Sequence, residues 1–140
     1  MLVEELEIIS EENSMEDVQK DAATPKVMHE TLVNMATESW RFSKLVERLL
    51  TKLDAGEHSR YMNQLRWFVK KIEESLEQAG LTIVSIEGQI FDPGMAATPV
   101  NLEDFSGQDV LIVDQMLEPI IMGKNGIIKT GSITLRKVES

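Results

Sequence analysis

The side chains that most often carry out catalysis or hold metals are few in this sequence and poorly spaced for either role. The 140 residues include no cysteine, which excludes disulfides, thiolate nucleophiles and cysteine-rich zinc sites. The two histidines, His29 and His58, lack the spacing of a metal-ligand pair. Adjacent carboxylates such as Glu73-Glu74 diverge on a helix, so they do not form an acid–base pair. The sequence therefore predicts no catalytic group, metal site or cofactor, and it indicates that the protein is not an enzyme.

The charge of the chain narrows the classes of partner. The net charge of -10 argues against binding to nucleic acid or to anionic membranes. Residues 1–24 hold many acids against a single base, Lys20, and we expect them to form an acidic tail without stable order. Because no apolar run approaches the roughly 20 residues that cross a bilayer, the cytoplasm is the expected location.

Two helices are expected after the tail. Thr24-Pro25 is typical of a helix start, with threonine as the N-cap and proline in the first turn. The first helix is expected to end at residues 54–56, where Gly56 would adopt the left-handed conformation. The second is expected from about residue 58 to 79, followed by Gly80 as the stop signal. A connection this short makes the two helices an antiparallel hairpin.

The apolar residues of both helices follow helical spacing. In the first helix they recur in steps of three and four, which is the heptad pattern of helices that pack side by side. Because one hairpin cannot cover such a wide apolar face, a second copy completing a four-helix bundle is the economical arrangement. An adaptable methionine groove for a peptide is the alternative role of this face. The residues expected at the dimer contact are Met28, Leu32, Met35, Phe42, Val46, Leu49, Leu53, Leu65, Phe68 and Ile72.

The pattern changes to strands and turns after Gly80. β-branched runs predict strands at 81–86, 110–113 and 132–138. Residues 88–99 are predicted to form a loop, in which Asp92 makes a turn hydrogen bond and the Phe91 ring packs in the core. Two further apolar runs flank Lys124-Asn125-Gly126, and Asn-Gly is a strong hairpin signal. The fold is therefore expected to be α+β, with an acidic tail over residues 1–24, a helical dimerisation hairpin over 25–80 and a small, mostly antiparallel β domain over 81–140.

Three short stretches carry a resemblance to a known family. Phe91-Asp92-Pro93 lies in the first β loop, Gln78–Ile83 joins the last helix to the first strand, and Leu117–Leu135 contains the hairpin. In this order, after a helical pair, they resemble the GrpE family, the nucleotide exchange factors of DnaK-type chaperones. The family places an apolar residue before Asp-Pro just after its helical bundle, and it ends with a hairpin and an alternating strand.

The resemblance implies a function that depends on binding alone. The β domain of the family wedges against a lobe of the chaperone's ATPase domain and opens the nucleotide cleft. By similarity, the chain is a co-chaperone in protein folding and the stress response, and its partner is the ATPase domain of a DnaK-type chaperone. The resemblance places Lys124, Asn125, Gly126 and Lys129 at the wedge. A solvated edge hairpin, whose lysines discourage aggregation, is the alternative interpretation of these residues.

The departures from the family pattern keep a second function open. Met95-Ala96-Ala97 stands where the family has a histidine, and Pro119-Ile120 replaces its glycine-tyrosine pair. Lys129-Thr130-Gly131 stands in place of arginine-proline-alanine. The alternative is therefore a dimeric adaptor that has the architecture without exchange activity.

Overall fold

The fold begins with two helices and continues with six short strands. A computed structural model of the chain describes residues 24–138, so the predicted acidic tail lies outside the described residues apart from Thr24. Two compact units divide the chain, Met1–Leu32 and Val33–Ser140, and the second contains all the strands of the described part. The elements in chain order are α1 (Pro25–Leu50), α2 (Ala55–Gln78), β1 (Thr82–Val84), β2 (Ala97–Pro99), β3 (Leu111–Glu118), β4 (Ile120–Gly123), β5 (Gly126–Lys129) and β6 (Gly131–Lys137).

The start of α1 is the one that the sequence predicts. The Oγ1 of Thr24 accepts a hydrogen bond from the backbone N–H of Val27 at 3.2 Å. Threonine therefore satisfies one of the donors that the first helical turn leaves unpaired, and Pro25 occupies the first helical position.

Among the described residues, no helix combines the length and the apolar character needed to span a bilayer.

The junction between the helices differs from the prediction. Helix α1 ends at Leu50, and Asp54 caps α2 by accepting a hydrogen bond from the backbone N–H of Glu57 at 2.9 Å. Gly56 lies within the first turn of α2, so the prediction that it ends the first helix in a left-handed conformation is wrong. The physical reason is that the Asp54 side chain satisfies a free N–H of the first turn, so α2 begins at Ala55 and Gly56 takes a helical conformation.

The end of α2 follows the predicted stop signal. Gly80 has a φ of 75°, and the backbone N–H of Leu81 donates to the carbonyl of Leu76 at 2.9 Å. The side chains of Leu76 and Leu81 are both buried. A hydrogen bond from Leu81 back to Leu76, with both side chains buried, is typical of the Schellman motif that ends helices. This motif requires the residue before Leu81, which is Gly80, to take a positive φ.

We expect Gly80→Ala to destabilise the protein more than Gly88→Ala does. Both glycines have positive φ, so alanine is strained at either position by about 1 kcal/mol. An added Cβ at Gly80 would also lie 2.7 Å from Cε of Lys124, whereas nothing lies within 4 Å of one at Gly88. Urea denaturation of the two variants measures the difference, and Gly107→Ala, which has neither constraint, is the neutral control. Equal losses at Gly80 and Gly88 would contradict this expectation and show that the Lys124 side chain moves aside at no measurable cost.

The strands form two three-stranded sheets in the orders β1-β4-β5 and β2-β6-β3. Every pairing is antiparallel except that of β2 with β6, which is parallel. The prediction of an α+β chain with a mostly antiparallel β part is thus confirmed. Strand β2 lies in a segment that the sequence predicts to be loop, because three residues ending in Pro99 carry no strand pattern of their own.

One apolar core occupies the inward faces of the strands. Phe91 of the first β loop packs against this core, as the sequence predicts, and so does Trp40 of α1. In the same loop Asp92 forms the predicted turn, since its Oδ1 accepts a hydrogen bond from the backbone N–H of Gly94 at 3.0 Å. The buried members of the core cluster are Ile86, Leu111, Val113, Met116, Ile120, Ile133 and Leu135.

Candidate partner-binding site

The β4–β5 hairpin presents its tip to solvent. Gly123 pairs with Gly126 across the antiparallel ladder, which leaves Lys124 and Asn125 as a two-residue connection. Gly126 has a φ of 128°, a value that only glycine adopts readily, and it lets the chain return into β5. Lys124, Asn125 and Gly126 are all exposed. The structure therefore brings three of the four predicted partner-binding residues together at one accessible turn.

Lys124 combines a packed stem with an exposed ammonium group. Its Cε, Cδ and Cγ atoms lie within 3.3 Å of the position that a Cβ on Gly80 would occupy, so the aliphatic stem crosses the C-terminal end of α2. A cation near the last carbonyls of a helix is favourable. Within the part of the chain that the structure describes, Lys124 forms no ion pair. Its charge is therefore available to a partner while its stem is held in place.

Lys129 does not share this arrangement. Its Nζ lies 3.1 Å from the Oγ1 of Thr37 on α1 and 3.8 Å from Oε2 of Glu118 on β3. Thr37 is only 2% exposed, and a guanidinium nitrogen of Arg41 lies 2.6 Å from the other Glu118 oxygen. The ammonium of Lys129 thus links β5 to α1 and β3 inside the chain. The resemblance groups Lys129 with the three hairpin-tip residues, but in the structure its ammonium group is directed into contacts within the chain.

The other cations near the C-terminus also have carboxylate partners. Arg136 lies 3.5 Å from Asp114, and Lys137 lies 3.3 Å from Asp109. The first pair joins β6 to β3 and the second joins β6 to the turn before β3, so the positive charge concentrated in the sequence after residue 123 does not become a broad basic patch. No sequence signal locates these partners, because cross-strand neighbours become apparent only once the register of β3 and β6 is known.

A second candidate surface lies on α1. Met35, Phe42 and Leu49, spaced by seven residues, are 62%, 58% and 51% exposed. Leu45 on the same helix is 49% exposed and was not among the predicted contact residues. These four residues are termed the exposed α1 stripe. The opposite side of the helix is buried through Val33, Ala36, Thr37 and Ser43.

The remaining predicted dimer residues divide into two groups. Leu53 and Met28 are exposed, the latter within the N-terminal unit, whereas Leu32 and Val46 are partly buried. On α2, Phe68 and Ile72 line a groove together with Ser43 of α1, and Leu65 is buried. Leu65 is therefore covered within one chain and Phe68 and Ile72 are partly covered, whereas the exposed α1 stripe is the most exposed of the candidate contacts between chains.

Within residues 24–138, no group of three or more histidine or carboxylate side chains could hold a metal ion. Comparison of the chain with protein-family models, with curated proteins and with solved structures found no match.

Proposed function

We propose that the chain is a GrpE-like nucleotide exchange factor, or co-chaperone, that binds the ATPase domain of a DnaK-type chaperone and promotes nucleotide release. One observation carries the proposal: a helical pair precedes a small β part, and a β-hairpin exposes Lys124, Asn125 and Gly126 in the position that the resemblance assigns to the wedge. Lys124 supplies the positive charge of that hairpin tip. The proposal requires no catalytic group.

The mechanism rests on differential affinity. A protein that binds the open, nucleotide-free form of an ATPase more tightly than the closed form must weaken nucleotide binding by the same factor. A hairpin tip suits this role because its backbone is fixed by β4, β5 and the Gly80 turn, so little conformational entropy is lost on binding. The exposed ammonium group of Lys124 favours encounter with an acidic surface.

We also propose that two copies associate through their helices into a four-helix bundle. The exposed α1 stripe supports this arrangement, because residues 35, 42 and 49 repeat at the heptad interval of helices that pack side by side. In a dimer, a second copy would cover the largest apolar side chains that α1 leaves exposed to water. The exchange factor would then carry two hairpin tips, one on each chain.

A dimeric adaptor without exchange activity is the second candidate. The observation that favours it is the position of Lys129, whose ammonium group is used within the chain. The hairpin tip then offers a partner one cation instead of two, which weakens the electrostatic part of a wedge contact. An adaptor would bind the chaperone without favouring its open form.

Retention of a DnaK-type chaperone on the immobilised full-length protein tests the binding half of this proposal. We expect the chaperone to be retained and to be released by ATP, which favours a different conformation of the ATPase domain.

Lys124→Glu should slow association by about tenfold at low salt and by less at high salt, because a rim charge acts mainly on encounter.

Lys70→Glu makes the same charge change on an exposed lysine of α2, away from the hairpin, and should leave association nearly unchanged. If both variants slowed association equally, the net charge of the protein and not the hairpin tip would be responsible. If neither did, the contact would lie elsewhere, and the exposed α1 stripe would be the next surface to test.

A further inference from the structure

The connection between β4 and β5 contains the one asparagine in the sequence that a glycine follows. Asn125 and Gly126 are both exposed, and a Cβ added at Gly126 would meet nothing within 4 Å. An asparagine can react with its own backbone when the nitrogen of the next residue approaches the side-chain carbonyl carbon. Glycine leaves that approach unobstructed, because it carries no Cβ and accepts a wide range of backbone conformations.

The surroundings of Asn125 restrain its side chain little. Among residues 24–138, its amide forms no hydrogen bond. The strand that follows, β5, lies at the edge of its sheet and is four residues long, with three of the four exposed. A short edge strand next to an exposed turn opens locally at low cost. Cyclisation of asparagine is slow, so rare openings of an otherwise ordered turn are sufficient for it.

The other asparagines of the described chain lack this combination. Asn34 and Asn63 lie inside α1 and α2, where the helical hydrogen bonds hold the next backbone N–H. The side-chain oxygen of Asn101 accepts a hydrogen bond from the backbone N–H of Leu135 at 2.8 Å, and its nitrogen donates to the Leu135 carbonyl at 2.9 Å. The residues that follow these three asparagines all carry a Cβ. They therefore serve as internal controls for Asn125.

We propose that Asn125 is a site of spontaneous deamidation. The backbone nitrogen of Gly126, after losing its proton, attacks Cγ of Asn125 and forms the C–N bond of a succinimide ring. The side-chain nitrogen takes up a proton and leaves as ammonia, so no net proton is lost in this step. Water then adds to either carbonyl of the ring and breaks the ring C–N bond, which gives aspartate or isoaspartate. Neither step needs an oxidant, a reductant or an enzyme.

The modification changes the charge of the hairpin tip. Lys124 forms no ion pair within the described part of the chain, and either product places a carboxylate on the residue next to it. Isoaspartate also adds a carbon to the backbone of the two-residue connection between Gly123 and Gly126. A partner of the tip would therefore meet a neutralised and distorted turn. This consequence rests on the proposed function, whereas the modification itself does not.

Peptide mapping by mass spectrometry of the incubated full-length protein tests the modification. We expect Asn125 to be converted at least about tenfold faster than Asn34, Asn63 or Asn101. The conversion should be faster at about pH 8 than at about pH 6, because the attacking backbone nitrogen must first lose its proton. Enzymatic methylation of isoaspartate distinguishes the two products. The rate in the native protein should lie within about tenfold of the rate in urea, since the tip opens at low cost.

Variants separate the modification from its consequence. Asn125→Gln should abolish the conversion, because the longer side chain must close a larger ring, and it should leave the melting temperature nearly unchanged at this exposed position. Asn125→Asp reproduces the charge of the product and should slow association with the chaperone several-fold at low salt. Asn63→Asp makes the same charge change on an exposed residue of α2 and is the matched control.

Two results would overturn the proposal. Conversion of Asn125 that is no faster than that of Asn101 would show that the exposed tip gives no advantage. Conversion that occurs in urea but not in the native protein would show that the folded turn protects the residue. Conversion in the native protein together with unchanged chaperone association of Asn125→Asp would support the modification and count against the hairpin tip as the contact.

Discussion

Phe42→Asp combined with Leu49→Asp is expected to reduce the mass of the protein in solution from two chains to one. Both side chains belong to the exposed α1 stripe, and in the proposed bundle each would lie against the helices of a second copy. Burying an unpaired carboxylate costs several kcal/mol, so two such charges at one contact should weaken the dimer by about a thousandfold or more. Sedimentation equilibrium at micromolar concentration measures the change against the chain mass of 15.8 kDa.

The matched control for this variant is Leu102→Asp, which changes an exposed leucine outside α1 and α2. It should leave the mass at two chains. Circular dichroism should show that the double variant keeps its helices, because both positions are already exposed within one chain. A wild-type protein that sediments as one chain at this concentration would contradict the bundle, and the exposed α1 stripe would then need a different partner.

Lys129→Glu is expected to lower the free energy of unfolding by about 1–3 kcal/mol, whereas Lys124→Glu should change it by less than about 0.5 kcal/mol. The substitution at Lys129 removes the donor that lies 3.1 Å from the buried Thr37 hydroxyl and places a carboxylate next to Glu118. Lys124 has no carboxylate partner among the described residues. Urea denaturation of the two variants, which make the same charge change, measures the contrast.

Lys129→Met separates the two causes of this loss. It keeps most of the aliphatic stem and removes the ammonium group, so its effect should be smaller than that of Lys129→Glu, which adds repulsion from Glu118. Equal stabilities for Lys124→Glu and Lys129→Glu would mean that the Lys129 contacts contribute nothing. In that case both lysines would be equally available to a partner, as the sequence analysis expected.

The elements that could be predicted from the sequence are those specified by local chemistry. The cap at Thr24, the stop at Gly80 and the turn at Asp92 each depend on residues within a few positions of one another. The hairpin around Lys124-Asn125 is of the same kind. Gly56 was misassigned because two local signals compete there, and the side chain of Asp54 makes the hydrogen bond that decides between them.

The features that could not be predicted depend on contacts distant in sequence. The Nζ of Lys129 bonds to Thr37, 92 residues earlier, and β2 exists only because β6 pairs with it in parallel. The sequence likewise cannot separate residues of a wide apolar helix face into those that pack within a chain and those left exposed. The structure makes that separation, since Phe68 and Ile72 line the groove with α1 while Phe42 remains exposed.

The rate at which a labelled adenosine diphosphate leaves a DnaK-type chaperone tests the central proposal most directly. The measurement is a stopped-flow release experiment with the chaperone alone, with the wild-type protein and with Lys124→Glu. The account predicts that saturating wild-type protein accelerates release by at least about a hundredfold, and that Lys124→Glu requires a higher concentration to do so. Release that stays at the rate of the chaperone alone while the two proteins demonstrably bind would contradict the exchange factor and favour the adaptor.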